Sequence, residues 1–258
     1  MDNPGHLRDL RNLGLHHGYM PAVPKFECTI LIGSVIFGVE HGPERGKSMD
    51  IAAIIQKMVI LIPPILFAVT VHEVAHGWMA LRLGDPTAKS LGRLTMNPVK
   101  HLDPVGTLVF FLTQTIGWAR PVPVNPVYFK DPRRDMIWVA AAGPVSNIMV
   151  AVLAAFFIRY GLRTVAIFLP DFVLTPITLM LIISVQLNIG LAVFNLLPIP
   201  PLDGSKVLMG LLPGELAARY AQFERWGFVV LLFLVFTGVT GRIIVPLVYF
   251  LYNTIMGI

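Results

Sequence analysis

Residues 58–81 read MVILIPPILFAVTVHEVAHGWMAL and contain His72-Glu73-Val74-Ala75-His76, an H-E-x-x-H signature. On a helix, residues i and i+4 share one face, so both imidazoles can bind one zinc ion while Glu73 reaches water at the metal. The alternative is a pair of histidines that are only hydrogen-bonded within an apolar helix. Ionisable groups at membrane depth are costly and are mostly functional, which favours the metal site.

The position of the signature within this apolar run predicts the depth of the metal. The run ends at Arg82, six residues after His76 and ten after His72. At about 1.5 Å of helical rise per residue, the metal is expected roughly 9–15 Å below the charged end. A water-filled funnel from one side of the membrane could reach that depth.

The composition is that of a polytopic membrane protein. The 258 residues are 55% hydrophobic and 14% charged, with a mean hydropathy of +0.71, whereas soluble domains carry about 25% charged residues. The net charge of +5 is therefore attributed to topology signals and lipid contacts, and nucleic-acid binding is not expected. A single cysteine, Cys28, excludes an intramolecular disulfide and is interpreted as a free thiol.

Four apolar segments predict membrane helices at residues 58–81, 136–158, 177–197 and 226–256. Asp131-Pro132 is a helix-start signal for the second, and Pro176 is expected to open the third. The last segment spans 31 residues, exceeds one bilayer crossing and contains Gly238 and Gly241, so it must bend, protrude or fold back. The predicted fold is an all-α bundle of about four to six transmembrane helices.

The segment between the first two spans does not fit a membrane helix. Residues 108–116 are apolar, but a glycine and three prolines follow within ten positions. This pattern predicts a re-entrant loop or short strands dipping into the membrane. A plain surface loop is the alternative.

The distribution of Lys and Arg predicts the orientation. Segment 82–134 holds eight and segment 199–225 holds three, whereas segment 159–176, which lies on the other side, holds two. The two richer segments are expected on the cytoplasmic side, so the metal site would lie nearer the cytoplasmic face.

Residues 1–48 are interpreted as an N-terminal extension and residues 49–258 as the transmembrane catalytic domain. The extension is polar up to about residue 25 and then apolar for 14 positions, from Phe26 to Val39 with Glu27 as the one interruption, which is short for a span. One hypothesis is that translation starts at Met49, because Glu44-Arg45-Gly46-Lys47 can be encoded by a purine-rich stretch that resembles a ribosome-binding site.

A catalytic zinc site has three protein ligands and one open position, so a third ligand is needed. The best candidate is Asp203, which follows three prolines at the same end of the bundle as the two histidines. Because prolines break the helix there, unwound backbone could approach the metal. The alternative is that Asp203 caps the next helix.

Together these motifs resemble the site-2 protease family of intramembrane zinc metalloproteases. The resemblance rests on H-E-x-x-H in a membrane span, on N-x-x-P-x-P-x-L-D-G at residues 195–204, and on the stretches 92–106 and 141–147. It covers roughly residues 50–210 and is greatest for the compact branch that lacks PDZ and CBS domains. It implies one zinc ion held by His72, His76 and Asp203, with Glu73 as the catalytic acid/base and Asn195 stabilising the oxyanion.

Several roles stay open at this level. An interhelical hydrogen bond is the alternative for Asn195, and Asn147 could serve only in close helix packing. His101 and Asp103 could support the metal site or lie at the membrane interface, and the interface is favoured. The family's re-entrant hairpin would correspond to about residues 107–125, where a strand edge could hold an unwound substrate.

The resemblance implies hydrolysis of peptide bonds in or near transmembrane segments of membrane proteins, commonly single-span regulatory proteins. The expected location is the plasma membrane, with lipids and the substrate as partners. A membrane metal transporter would need polar residues along a path from both faces, and an inactive scaffold would not require Glu73. Another membrane metalloprotease family is also possible, but those usually have a glutamate as the third ligand.

Overall fold

The computed structural model describes residues 51–113 and 118–257. The expectations for residues 1–48, including the extension, the start at Met49 and Cys28, lie outside these residues. The domain division at residue 49 therefore stays a prediction.

The described residues form nine α-helices. They are α1 (Ile51–Arg82), α2 (Thr87–Ser90), α3 (Pro104–Thr113), α4 (Pro132–Phe156), α5 (Leu162–Val165), α6 (Asp171–Asn195), α7 (Asp203–Leu211), α8 (Gly214–Phe236) and α9 (Val239–Met256). A π-helical turn, Phe157–Gly161, joins α4 to α5. Short 3-10 turns lie at Pro98–Lys100 and Pro126–Tyr128.

Four of these helical stretches are long and apolar enough to cross a membrane. They are Met58–Arg82, Pro132–Val165, Asp171–Asn195 and Val239–Met256. This confirms an all-α polytopic membrane protein, and each span overlaps one predicted apolar segment, the fourth covering only the second part of residues 226–256. The second begins as expected, because Asp131 accepts the N–H of Arg134 at 3.1 Å and Pro132 occupies the first helical position.

One helix boundary differs from the sequence expectation, and a second resolves an open point in it. The third span begins at Asp171 rather than at Pro176, which lies inside the helix. A membrane helix tolerates the one hydrogen bond that such a proline removes. The last apolar segment breaks at Gly238, whose φ of 73° is left-handed and suits glycine, so α8 and α9 are separate helices.

The first part of the region predicted as a re-entrant strand or hairpin is helical. Pro104–Thr113 forms α3, and the expectation of a strand or loop there was wrong. Asp103 caps this helix by accepting the N–H of Gly106 at 2.8 Å, and a cap followed by proline is a strong helix start. Residues 118–125 form no helix, and an isolated antiparallel bridge joins Leu102 to Ala119. The described residues contain no longer β pairing.

The centre of the bundle is formed by α1, α4 and α6, which all contact one another, with α7 against α4 and α9 against α6. Small buried residues on α4 allow this close packing; they are Ala140, Gly143, Ala151, Ala154 and Ala155. A separate apolar core lies between α6 and α9, where Val185 and Ile189 pack with Ile244 and Tyr252.

Candidate metal centre

Two histidines of α1 and one aspartate of α7 converge at the centre of the bundle. The Nε2 atoms of His72 and His76 lie 3.0 Å apart. Asp203 Oδ2 lies 3.1 Å from His72 Nε2 and 3.2 Å from His76 Nε2. These side chains are only 7%, 11% and 8% exposed. Three donor atoms from segments 131 residues apart in sequence therefore face one point.

The turn before α7 brings Asp203 to this point. Asp203 is the first residue of α7, and Leu202, in extended conformation, precedes it. Asp203 therefore follows the capping position, and its carboxylate faces the imidazoles. A carboxylate binds a metal ion in its ionised form.

The donor set suits zinc. Two imidazole nitrogens and one carboxylate oxygen are a common set for catalytic zinc, whose fourth position stays open. Val139 O accepts the Nδ1–H of His76 at 2.7 Å, so the Nε2 lone pair of that ring faces the aspartate. These three side chains form the one such cluster of potential metal ligands found among residues 51–113 and 118–257.

Gly143 lets α4 pass directly beside the two imidazoles. A Cβ atom at this position would fall 2.5 Å from His76 Nε2 and 2.7 Å from His72 Cε1. Any larger residue would occupy the space that the rings need. The glycine therefore forms one wall of the metal centre.

Glu73 points from α1 to the non-helical segment 118–125. Its Oε2 atom accepts the backbone N–H of Val122 at 2.8 Å. Val122 lies between Pro121 and Pro123, which have no N–H to donate. The carboxylate beside the metal centre is thus held at one oxygen by the main chain.

Residues 60–237 match peptidase family M50. The match covers well over half of the chain and includes every residue of the converging triad. The chain belongs to peptidase family M50, the site-2 protease family. It is an intramembrane zinc metallopeptidase, and the transporter and scaffold alternatives are not favoured.

Several curated relatives of the chain are named as zinc metalloproteases. The chain is 41% identical over 194 residues, 74% of this chain and 86% of the relative, to a Bacillus subtilis (strain 168) protein named "Putative zinc metalloprotease YwhC". It is 28% identical over 200 residues, 76% of this chain and 73% of the relative, to "Putative zinc metalloprotease Rip2" of Mycolicibacterium smegmatis. The Mycobacterium tuberculosis (strain H37Rv) protein of that name is 27% identical over 232 residues, 86% of this chain and 84% of the relative. No solved structure matches the chain with significance.

The other residues singled out by the M50 resemblance lie in different surroundings. Asn195 is the last residue of α6, half-buried, and its Nδ2 donates to Leu191 O at 2.9 Å. Asn147 lies against His72, with Oδ1 2.6 Å from the imidazole Nδ1. His101 is buried, and its Nε2 contacts Thr95 O at 2.9 Å. Asp103 caps α3.

Sequence reasoning missed two features of this M50 site. The N–H of Val122 and the wall formed by Gly143 both depend on how distant segments pack. Gly143 lies inside a stretch of small residues that predicts close helix packing, and this was the one available signal. Nothing in the local pattern pairs Glu73 with Val122, 49 residues away.

Proposed function

We propose that His72, His76 and Asp203 hold the catalytic zinc ion of this peptidase and that Glu73 is its acid/base. The single observation that carries this assignment is the convergence of the three donor atoms, none more than 3.2 Å from another. Donors bound to one ion at about 2.0–2.2 Å lie close together in this way. A single His–Asp hydrogen bond would bring one imidazole to the carboxylate, whereas here both imidazoles approach the same oxygen, Asp203 Oδ2.

The chemistry follows from the groups that surround the three ligands. When bound, zinc supplies a Lewis acid that polarises the scissile carbonyl and makes water acidic near neutral pH. Glu73 takes the proton from the attacking water through one carboxylate oxygen, while its Oε2 is held by Val122. As the C–O bond forms and the C–N bond breaks, Glu73 passes that proton to the leaving amine.

Asn195 is proposed to stabilise the negative charge that develops on the carbonyl oxygen. Its amide nitrogen carries two hydrogens, and one of them is directed at Leu191 O. The second can be donated to the oxyanion. A donor aimed at developing charge contributes about 3 kcal/mol to stabilising the transition state.

The proposed substrate is a transmembrane protein, in particular a single-span regulatory protein. The ligands on α1 lie six and ten residues before Arg82, roughly 9–15 Å along the helix from its charged end. A scissile bond that reaches this depth belongs to a segment inside the membrane. Hydrolysis requires that segment to be unwound locally, because an intact helix shields its carbonyl groups.

The segment 118–125 is proposed to guide the unwound substrate. The N–H groups of Arg120 and Val122 are already used by His101 O and Glu73, and Pro121 and Pro123 have none. The backbone of residues 120–123 can therefore offer carbonyl acceptors only, and Arg120 O already accepts from Arg93 Nη2 at 2.8 Å. Pairing through this edge would have to use N–H groups of the substrate.

The proposed location is the plasma membrane, with the metal centre nearer the cytoplasmic face. The support for this orientation is the Lys and Arg bias of the segments that flank the α1 and α6 ends next to the site. Both segments are connected to the end of the bundle that holds Asp203.

The experiment that tests the roles is cleavage of a transmembrane substrate in reconstituted vesicles. We expect Glu73→Gln to keep zinc but to lose nearly all cleavage, since an amide cannot carry the proton. Glu215→Gln, an exposed change in the first turn of α8, is the matched control and should cleave normally. Full activity of Glu73→Gln would overturn the assignment.

A further inference from the structure

A buried chain of amide groups leads away from the metal centre on the side opposite Asp203. Asn147 of α4 and Asn188 of α6 are both 0% exposed. The Nδ2 of Asn147 donates to Asn188 Oδ1 at 2.7 Å and to Ala68 O of α1 at 3.1 Å. The Nδ2 of Asn188 donates to Ser184 O at 2.8 Å. All three central helices contribute to this chain.

Two backbone carbonyls fix the direction of every hydrogen bond in it. A carbonyl only accepts, so Ser184 O requires the nitrogen of Asn188 on its side and turns Asn188 Oδ1 towards Asn147. Ala68 O and Asn188 Oδ1 together require the nitrogen of Asn147 on their side. The oxygen of Asn147 must then face His72, because the amide has no other orientation that satisfies its neighbours.

That orientation determines the state of the imidazole. With Asn147 Oδ1 2.6 Å away, His72 Nδ1 must carry a proton and donate it. In the neutral ring, Nε2 then has a lone pair, and Nε2 is the atom 3.1 Å from Asp203 Oδ2. We infer that Asn147, oriented by Asn188, is a positioning residue that holds His72 in the tautomer and ring orientation needed to bind zinc.

This role differs from that of a packing residue. A residue that only joins helices would matter through both its N–H donors and its oxygen, whereas a positioning residue matters through the oxygen that faces His72. The inference rests on the proposed function to the extent that His72 binds zinc through Nε2. Partners of ligating histidines typically change metal affinity by 10–100-fold when they are removed.

The test compares two substitutions of Asn147 that both lose the N–H donors but differ in whether an oxygen acceptor remains. Asn147→Leu and Asn147→Asp both remove the N–H donors to Asn188 and Ala68, but the Asp variant keeps an oxygen acceptor for His72. Zinc affinity of the purified full-length protein is measured by competition with a chelating dye, without substrate. We expect a 10–100-fold loss for Asn147→Leu and a change within about threefold for Asn147→Asp.

Thr240→Val is the matched control, because Thr240 is 2% exposed and its hydroxyl donates to Leu234 O in another part of the bundle. It should leave zinc affinity unchanged. Asn188→Leu should also lower zinc affinity more than Asn188→Asp, with smaller losses than at Asn147. This second pair tests the inference if Asn147→Leu does not fold. Equal affinities within both pairs, or failure of all four variants to fold, would overturn the inference.

The outcome is separable from that of the proposed function. If Glu73→Gln were fully active while the asparagine variants followed the expected order, the catalytic role would be wrong and the positioning role right. A wild-type protein without zinc would contradict the metal site and this inference together. Co²⁺ in place of Zn²⁺ adds a second readout, since its visible spectrum should change in Asn147→Leu and not in Thr240→Val.

Discussion

The carboxylate of Glu73 accepts the backbone N–H of Val122 at 2.8 Å, which joins this glutamate to the main chain between Pro121 and Pro123. A hydrogen bond to a charged group contributes about 1.5–3 kcal/mol. The bond limits the directions in which the carboxylate can point. Glu73 thus approaches the metal centre with one oxygen fixed.

Val122→Pro removes this N–H, because proline has none. We expect bound zinc to be retained and kcat to fall by about ten- to a hundredfold, since Glu73 loses its orienting donor. Val122→Ala shortens the side chain but keeps the N–H, so it should lose less. The measurement is cleavage of a reconstituted transmembrane substrate together with zinc content. Equal kcat in the Pro variant and the wild type would contradict this role.

Gly143→Ala places a methyl group where the imidazoles of His72 and His76 lie. The ring of His76 must then shift, which strains its hydrogen bond to Val139 O and displaces the ligand nitrogen. We expect zinc affinity to fall by about 10–100-fold. Gly190→Ala is the control, because a Cβ there would meet nothing within 4 Å. Normal zinc affinity in Gly143→Ala would show that the wall is not needed.

Asn195→Ala should lower kcat on the order of 100-fold with little change in KM or zinc content. The reason is that the lost amide acts on charge that develops only in the transition state. Steady-state kinetics on the vesicle assay separate the two constants. A raised KM with unchanged kcat would assign Asn195 to substrate binding instead.

The orientation of the bundle can be tested by thiol labelling in a Cys28→Ser background. Ser90→Cys and Thr164→Cys place exposed thiols at opposite ends of the helices. A membrane-impermeant maleimide should label Thr164→Cys in intact cells and Ser90→Cys only after permeabilisation. The reverse pattern would place the metal centre near the outer face.

The sequence predicted those parts of the fold and site that depend on local patterns. The four spans follow from apolar length, and His72 and His76 follow from helical spacing. Asp203 could be predicted because the prolines before it mark a helix break at the correct end of the bundle. Structure adds the distances that bring it to the histidines.

The remaining features depend on local signals that compete or on packing across the chain. Nine apolar residues fit a short helix as well as a strand. Asp103-Pro104 is a helix-start signal of the same type as Asp131-Pro132, and it could have predicted α3. The prolines at 121, 123 and 126 pointed instead to a loop. The contact between Asn147 and His72 joins residues 75 apart on different helices, and no local pattern specifies such a pairing.

The most direct test of the central claim is the zinc content of the purified protein beside that of Asp203→Ala. The wild type should contain one zinc ion per chain, and the variant should contain almost none, because its site keeps two ligands of three. Asp171→Ala, an exposed change at the start of α6, should keep its zinc. Full zinc occupancy in Asp203→Ala would contradict the account.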